Sequence, residues 1–98
     1  MDTVSLPANL LGFLKSLASE SRLNIVLLFL DGQERTVNQI AESVGLGQPA
    51  TSEHLAVLKQ SGILVSRKEG KEMYYRPDQA KILIMLEALN TLLRSCCI

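Results

Sequence analysis

The hydrophobic period of this chain switches at Gly62 and returns to helical spacing only after Pro77, and that interruption restricts the folds open to it. Before Gly62, apolar residues recur three and four positions apart in four short blocks separated by glycine, proline or serine. After it, Ile63–Lys68 and Glu72–Arg76 are β-prone runs split by Glu69, Gly70 and Lys71. The first pattern is that of amphipathic helices. The second is that of a hairpin whose turn uses Gly70 for a positive φ.

The blocks can be placed individually. Leu10, Leu11, Leu14 and Leu17 predict a first helix over about Ala8 to Ala18, directly after Pro7. Ser19 or Ser21 caps a second helix, with Leu23, Val26, Leu27 and Leu30 as its inner face and Gly32 at its end. Thr36 with Gln39 three residues later is a capping box, in which the hydroxyl takes an orphan amide and the glutamine reaches back. It starts a short third helix through Val37, Ile40, Ala41 and Val44, stopped by Gly45. Pro49 suits the start of a fourth helix, where a missing amide costs nothing; Thr51, Leu55 and Leu58 face inward and Gly62 terminates it. Pro77 and Asp78 break the second strand. A last helix from about Gln79 carries the stripe Ile82, Met85, Leu86, Leu89, Leu92, Leu93 and Cys96. The expected order is α-α-α-α-β-β-α, a mainly α fold with one β-hairpin, in a single domain over residues 1–98.

Composition closes off several alternatives. Ninety-eight residues leave no room for a second folded unit, and 47% apolar with 20% charged residues is too hydrophobic for a disordered chain. Two adjacent cysteines near the end cannot staple a disulfide scaffold. The longest unbroken apolar run, Ile25–Leu30, is far short of the ~20 residues that cross a bilayer. Asp2 and the lack of an N-terminal basic cluster predict no signal peptide, so a cytoplasmic location without membrane contact is expected. Enzymatic chemistry is not expected either. His54 is the single histidine, with no cysteine near it in sequence, and no paired carboxylates or phosphate-cradling loop accompany it. No cofactor is expected.

The formal net charge is zero, but its distribution is uneven. Residues 1–58 hold Lys15, Arg22 and Arg35 against six acids, a balance of −3. Residues 59–76 hold Lys59, Arg67, Lys68, Lys71 and Arg76 against Glu69 and Glu72, a balance of +3. A local basic stripe is the footprint that matters to phosphate, and here it falls on the hairpin.

The segment from Ile40 to Leu46 has the parts of a helix–turn–helix. Ala41 lets two helices cross closely, Gly45 permits the left-handed backbone of a tight turn, and Leu46 anchors that turn. At about 100° per residue, Pro49, Glu53, Ala56 and Gln60 point away from the Thr51/Leu55/Leu58 axis, with Ser52 and Lys59 on one flank. Such a small, polar face suits a major groove, which admits one helix. Gln48 and Ser52 can bond base edges or phosphates; Glu53 can only accept, so it reads a cytosine amino group or sharpens register by repelling phosphate. His54 lies about 60° off the inward axis and is read as a phosphate contact or a packing residue rather than a metal ligand. Arg67, Lys68 and Lys71 gather near the hairpin tip for sequence-independent phosphate contact. The DNA-facing set is therefore Gln48, Pro49, Ser52, Glu53, His54, Lys59, Arg67, Lys68 and Lys71.

With these stretches in view the chain resembles the ArsR/SmtB family of winged helix–turn–helix regulators over essentially its full length. The resemblance rests on Leu17-Ala-Ser-Glu-Ser-Arg-Leu23, Ile40-Ala-Glu-Ser-Val-Gly-Leu46, Gln48-Pro-Ala-Thr-Ser-Glu-His-Leu55, Leu58-Lys-Gln-Ser-Gly-Ile-Leu64 and Arg67-Lys-Glu-Gly-Lys-Glu-Met-Tyr-Tyr75. It implies a homodimer that binds an inverted-repeat operator in double-stranded DNA, represses the adjacent gene and is released by an inducer. Thr51 departs from the pattern, which has an aliphatic residue there more often. The family's sensing sites do not carry over. Thr36 and Asn38 stand where the arsenic-type site has a Cys-x-Cys pair, Asp78 has no histidine following it on the last helix, and the second helix has no cysteine.

Cys96 and Cys97 remain for sensing. Thiolates suit soft ions and oxidise when exposed, so redox or soft-metal sensing stays open beside a plain hydrophobic role; Cys96 falls within about 20° of the apolar stripe. No metal site is assigned. A dimer interface is expected at Leu10, Leu14, Leu17, Ile82, Met85, Leu86, Leu89 and Leu93, because the first and last helices carry more leucine than so short a chain can cover alone. The competing reading is a winged helix that contacts proteins instead of DNA.

Overall fold

The computed structural model describes residues 7–96 of the chain. Five helices and three strands follow in the order α1 (Ala8–Leu17), α2 (Glu20–Leu28), β1 (Arg35–Thr36), α3 (Val37–Val44), α4 (Gln48–Gln60), β2 (Leu64–Glu69), β3 (Glu72–Pro77) and α5 (Gln79–Cys96). A 3₁₀ turn, Phe29–Asp31, extends α2. The strands form an antiparallel sheet in the order β1-β3-β2.

The expected helices are all present, and their caps explain their limits. Ser19 is the N-cap of α2, its hydroxyl accepting from the Arg22 amide at 3.3 Å. Thr36 and Gln39 complete the capping box of α3: Thr36 Oγ1 accepts from the Gln39 amide at 3.3 Å, and Gln39 Oε1 from the Thr36 amide at 2.9 Å. The amides of Gly45 and Leu46 both return to the Ala41 carbonyl, at 3.0 and 3.2 Å, closing the turn of the helix–turn–helix. In the hairpin Glu69 pairs with Glu72, leaving Gly70 and Lys71 as a two-residue turn. Gly70 has φ +61°, and no residue other than glycine has positive φ among the described residues, the pattern of a type II′ turn with glycine first.

The core draws on every helix: Leu10 and Phe13 from α1, Ile25 and Phe29 from the second helical segment, Ile40, Leu55 and Leu58, then Ile63, Leu64 and Met85. Two sequence expectations need correction here. The inner face of α2 is Ile25 and Phe29, whereas Leu23, Leu27 and Leu30 are 43%, 55% and 81% exposed. Residues 25–30 form an unbroken apolar run, so two faces satisfy the same spacing and the tertiary core selects between them. The second correction is β1, whose two residues pair with Tyr74 and Tyr75 on β3 and make the hairpin a three-stranded sheet. Two residues carry no alternation, so the spacing rule has nothing to detect.

Candidate nucleic-acid interface

Helix α4 is divided as a groove-reading helix must be. Thr51, Leu55 and Leu58 are fully buried. Gln48, Pro49, Ser52, Glu53, Ala56, Lys59 and Gln60 are exposed. The buried Thr51 hydroxyl is satisfied within its own turn, donating to the Gly47 carbonyl at 2.9 Å. A threonine therefore takes an aliphatic position without an orphaned polar group.

His54 is half-buried at the junction of three helices. Arg22 Nη1 lies 3.3 Å from His54 Nδ1, and Arg22 Nε donates to the Ser16 carbonyl at 2.6 Å near the end of α1. A guanidinium can only donate, so Nδ1 accepts and the ring proton sits on Nε2. His54 is thus tied to the other two helices through Arg22. Among the described residues no group of three or more His, Cys, Asp or Glu side chains is placed to hold a metal ion.

In the wing the basic residues separate into two kinds. Lys68 and Lys71 are exposed, and no carboxylate pairs with them among the described residues. Arg67 is paired with two carboxylates. Its Nε donates to both Glu34 carboxylate oxygens at 3.0 Å, Nη2 to Glu34 Oε1 at 2.8 Å, and Nη1 to Glu69 Oε2 at 3.0 Å. Its guanidinium carbon lies 4.8 Å from the centre of the Tyr74 ring. Hydrogen bonding to Arg67 holds the Glu34 carboxyl below the usual glutamate range, and the same pair holds the arginine proton more tightly. Arg67 thus stands apart from the two lysines with which the sequence groups it.

A second arginine is also structural. Arg35 Nη1 donates to the Leu28 carbonyl at 2.8 Å and to Asp31 Oδ1 at 3.0 Å, and Nη2 lies 2.5 Å from Asp31 Oδ2. The hydrogen bond from Arg35, helped by the Gln33 amide, holds the Asp31 carboxyl down to about 2. Asp31 and Arg35 are only four residues apart, whereas Glu34 gains Arg67 through its placement in the fold.

The leucine-rich faces divide similarly. Leu10 and Met85 are buried within the single chain, so they back a surface rather than form one. Leu14, Leu17, Ile82 and Leu89 are half-buried against the core, whereas Leu86 and Leu93 are 46% and 52% exposed. Leu11, Leu83 and Ile84 are exposed apolar residues as well. Cys97 and the side chain of Cys96 lie outside the described residues.

Comparison with known proteins agrees with this arrangement. The family model described as bacterial regulatory protein, arsR family, matches residues 19–66, from the cap of α2 into β2. The biofilm growth-associated repressor of Xylella fastidiosa is 38% identical over 79 residues, which are 81% of this chain and 68% of that protein. Among solved structures, HlyU from Vibrio cholerae superposes with a TM-score of 0.71 at 34% identity, covering 87% of this chain and 91% of that one. The homodimeric winged helix–turn–helix DNA-binding domain Mb0332 from Mycobacterium bovis gives 0.68 at 31% identity, covering 85% and 79%. With the helix–turn–helix, the capped α3, the divided α4 and the wing all in place, the chain belongs to the arsR family of bacterial regulatory proteins, a family of transcriptional regulators rather than enzymes.

Proposed function

We propose that this chain is a cytoplasmic homodimeric repressor that binds an inverted-repeat operator in duplex DNA. The observation that carries the reading is the division of α4: three fully buried residues hold it to the core while Gln48, Ser52, Glu53 and Lys59 remain exposed. In the complex α4 enters the major groove. Gln48 and Ser52 bond base edges or phosphates, Pro49 and Ala56 give the backbone close approach, and Glu53 accepts from a base or sharpens register. His54 Nε2–H, Lys59, Lys68 and Lys71 are assigned to phosphate.

Dimerisation rests on α1 and α5. Leu86 and Leu93 are exposed beside the half-buried Leu14, Leu17, Ile82 and Leu89, with Leu10 and Met85 behind them. A self-complementary contact covers this surface, and its twofold axis sets two α4 helices about 34 Å apart, one turn of DNA. The inducing signal is open. Cys96 and Cys97 are the only thiols of the chain, so any release of DNA by oxidant through this chain's own thiols runs through them.

The test is selection from random duplexes at low salt, followed by affinity measurement over a salt series. Enrichment of an inverted repeat with half-sites roughly 10 base pairs apart, and affinity that falls steeply with salt, is the expected result. Failure to enrich any duplex, with the protein folded, overturns the reading in favour of a protein-contact module. Relief of binding by diamide that disappears in a Cys96→Ser/Cys97→Ser double variant assigns the signal to thiol redox; unchanged relief in that variant removes it.

A further inference from the structure

Arg67 is the cation that the fold appropriates from the wing's phosphate-facing set. It lies on β2, opposite Tyr74 on β3. Glu34, which takes its Nε and Nη2, lies immediately before β1 at the other edge of the sheet. The guanidinium therefore crosses the central strand, over the Tyr74 ring, to reach the carboxylate. Arg76 on β3 adds a weaker approach to the same carboxylate, Nε to Oε2 at 3.9 Å. The residue two after Glu34 is Thr36, the N-cap of α3. The ion pair thus links the outer strand of the wing to the segment that starts the helix–turn–helix.

From this placement we propose that Glu34 and Arg67 are positioning residues for DNA binding: they form a strap that fixes the wing relative to α4 and leave phosphate contact to Lys68 and Lys71. Three N–H groups of Arg67 already point at two carboxylates, and the ring of Tyr74 takes its face. Moving it to a phosphate exchanges two carboxylates and an aromatic contact for one anion. It would also leave Glu34 and Glu69 without this cation, beside an incoming polyanion. Held as it is, Arg67 neutralises Glu34 and spares the DNA that repulsion. Lys68 follows Arg67 on the same strand, so its side chain emerges on the opposite face and its direction is set by the same strand pose. A wing held in advance binds with less ordering cost than a free hairpin.

The inference rests on the DNA-binding reading and is tested with the duplex selected above, comparing the intact protein with single and paired variants. Each phosphate contact contributes about 0.9 to the slope of log affinity against log salt, so losing one per protomer lowers a dimer's slope by roughly 1.8. Lys68→Ala and Lys71→Ala should each lower the slope in this way. Glu34→Gln and Arg67→Ala should weaken binding by roughly fivefold, the scale of reordering one or two long side chains, with the slope unchanged. Their double variant should be no weaker than either single one, because both break the same strap. The charge-swapped pair, Glu34→Arg with Arg67→Glu, should bind better than either swap alone.

Three results overturn the proposal. A slope lowered by Arg67→Ala as much as by Lys68→Ala makes Arg67 a phosphate ligand. Tighter binding by Glu34→Gln makes Glu34 a competitor of DNA for that arginine. Additive losses in the double variant dissolve the strap. Absence of binding by the unsubstituted chain is a different failure: it removes the DNA reading itself, and the positioning role with it. Thermal unfolding of each variant accompanies the affinities, and a folded protein is expected throughout because the pair lies at the surface.

Discussion

Arg22 on α2 joins His54 on α4 to the end of α1: its Nη1 lies 3.3 Å from the imidazole Nδ1 while its Nε donates at 2.6 Å to the Ser16 carbonyl. One guanidinium thus satisfies a helix-terminal carbonyl and fixes the tautomer of a residue on the recognition helix.

Arg22→Ala removes both bonds, together with a longer one from Nη2 to the Lys15 carbonyl at 3.4 Å, and is expected to cost about 1.5–3 kcal/mol, the range for hydrogen bonds involving a charged group. Arg22→Lys should recover little of it, since an ammonium on a flexible stem cannot match a planar fork to two separated acceptors. Chemical denaturation of the three proteins checks this. A lysine variant as stable as the parent would mean that charge alone is needed there.

Thr51 allows a test in which little change is expected. Its buried hydroxyl donates to the Gly47 carbonyl, and the Thr51 amide donates to the same oxygen at 3.0 Å. Thr51→Val therefore leaves no acceptor unsatisfied, and its stability should stay within about 1 kcal/mol of the parent. Thr51→Ala loses the packed methyl as well and should fall below the valine variant. A valine variant markedly less stable than alanine would overturn the assignment of this hydroxyl as dispensable.

These two sites show how much of the molecule its sequence discloses. Thr51, Leu55 and Leu58 are readable as one face because α4 is flanked by polar residues that leave a single apolar stripe. In α2 the stripe is not unique: Leu23 and Leu27 repeat at the same spacing as Ile25 and Phe29, and the rest of the core decides which pair turns inward. The capping box and the turn glycines are local in sequence and are read correctly. Arg22–His54 and Glu34–Arg67 join residues 32 and 33 positions apart, and no local rule distinguishes a bound arginine from a free one. For that reason the wing's three basic residues look alike until Glu34 is placed beside one of them.

Acid should weaken the fold partly through Asp31. Its carboxyl is held from an ordinary 3.8 to about 2 by hydrogen bonding from Arg35 and the Gln33 amide. A depressed folded-state value means that the unfolded chain takes up the proton first as pH falls. The contribution is whole above about 3.8 and is lost as pH drops through about 2. Asp31→Asn should thus be less stable than the parent at neutral pH, with the difference shrinking across that window. A difference that stays constant from neutral to strongly acidic pH would show that the pair does not set the acid response.

The surface assigned to the dimer can be separated from the core by choice of residue. Leu93 is 52% exposed and Leu86 46%, whereas Met85 beside them is 7% exposed. Met85→Asp would bury a charge inside the protomer and unfold it, which says nothing about assembly. Leu93→Asp adds a charge to a site already half in water, so the protomer should remain folded and lose only the apolar contact across the twofold axis. Sedimentation should then report a monomer with an unchanged circular dichroism spectrum. Operator affinity should fall with it, because one α4 reads one half-site and the second half-site no longer adds its contacts. A dimer that persists in Leu86→Asp/Leu93→Asp would move the interface off this face of α5. The exposed Leu23, Leu27 and Leu30 of the second helical segment would then be the next surface to test.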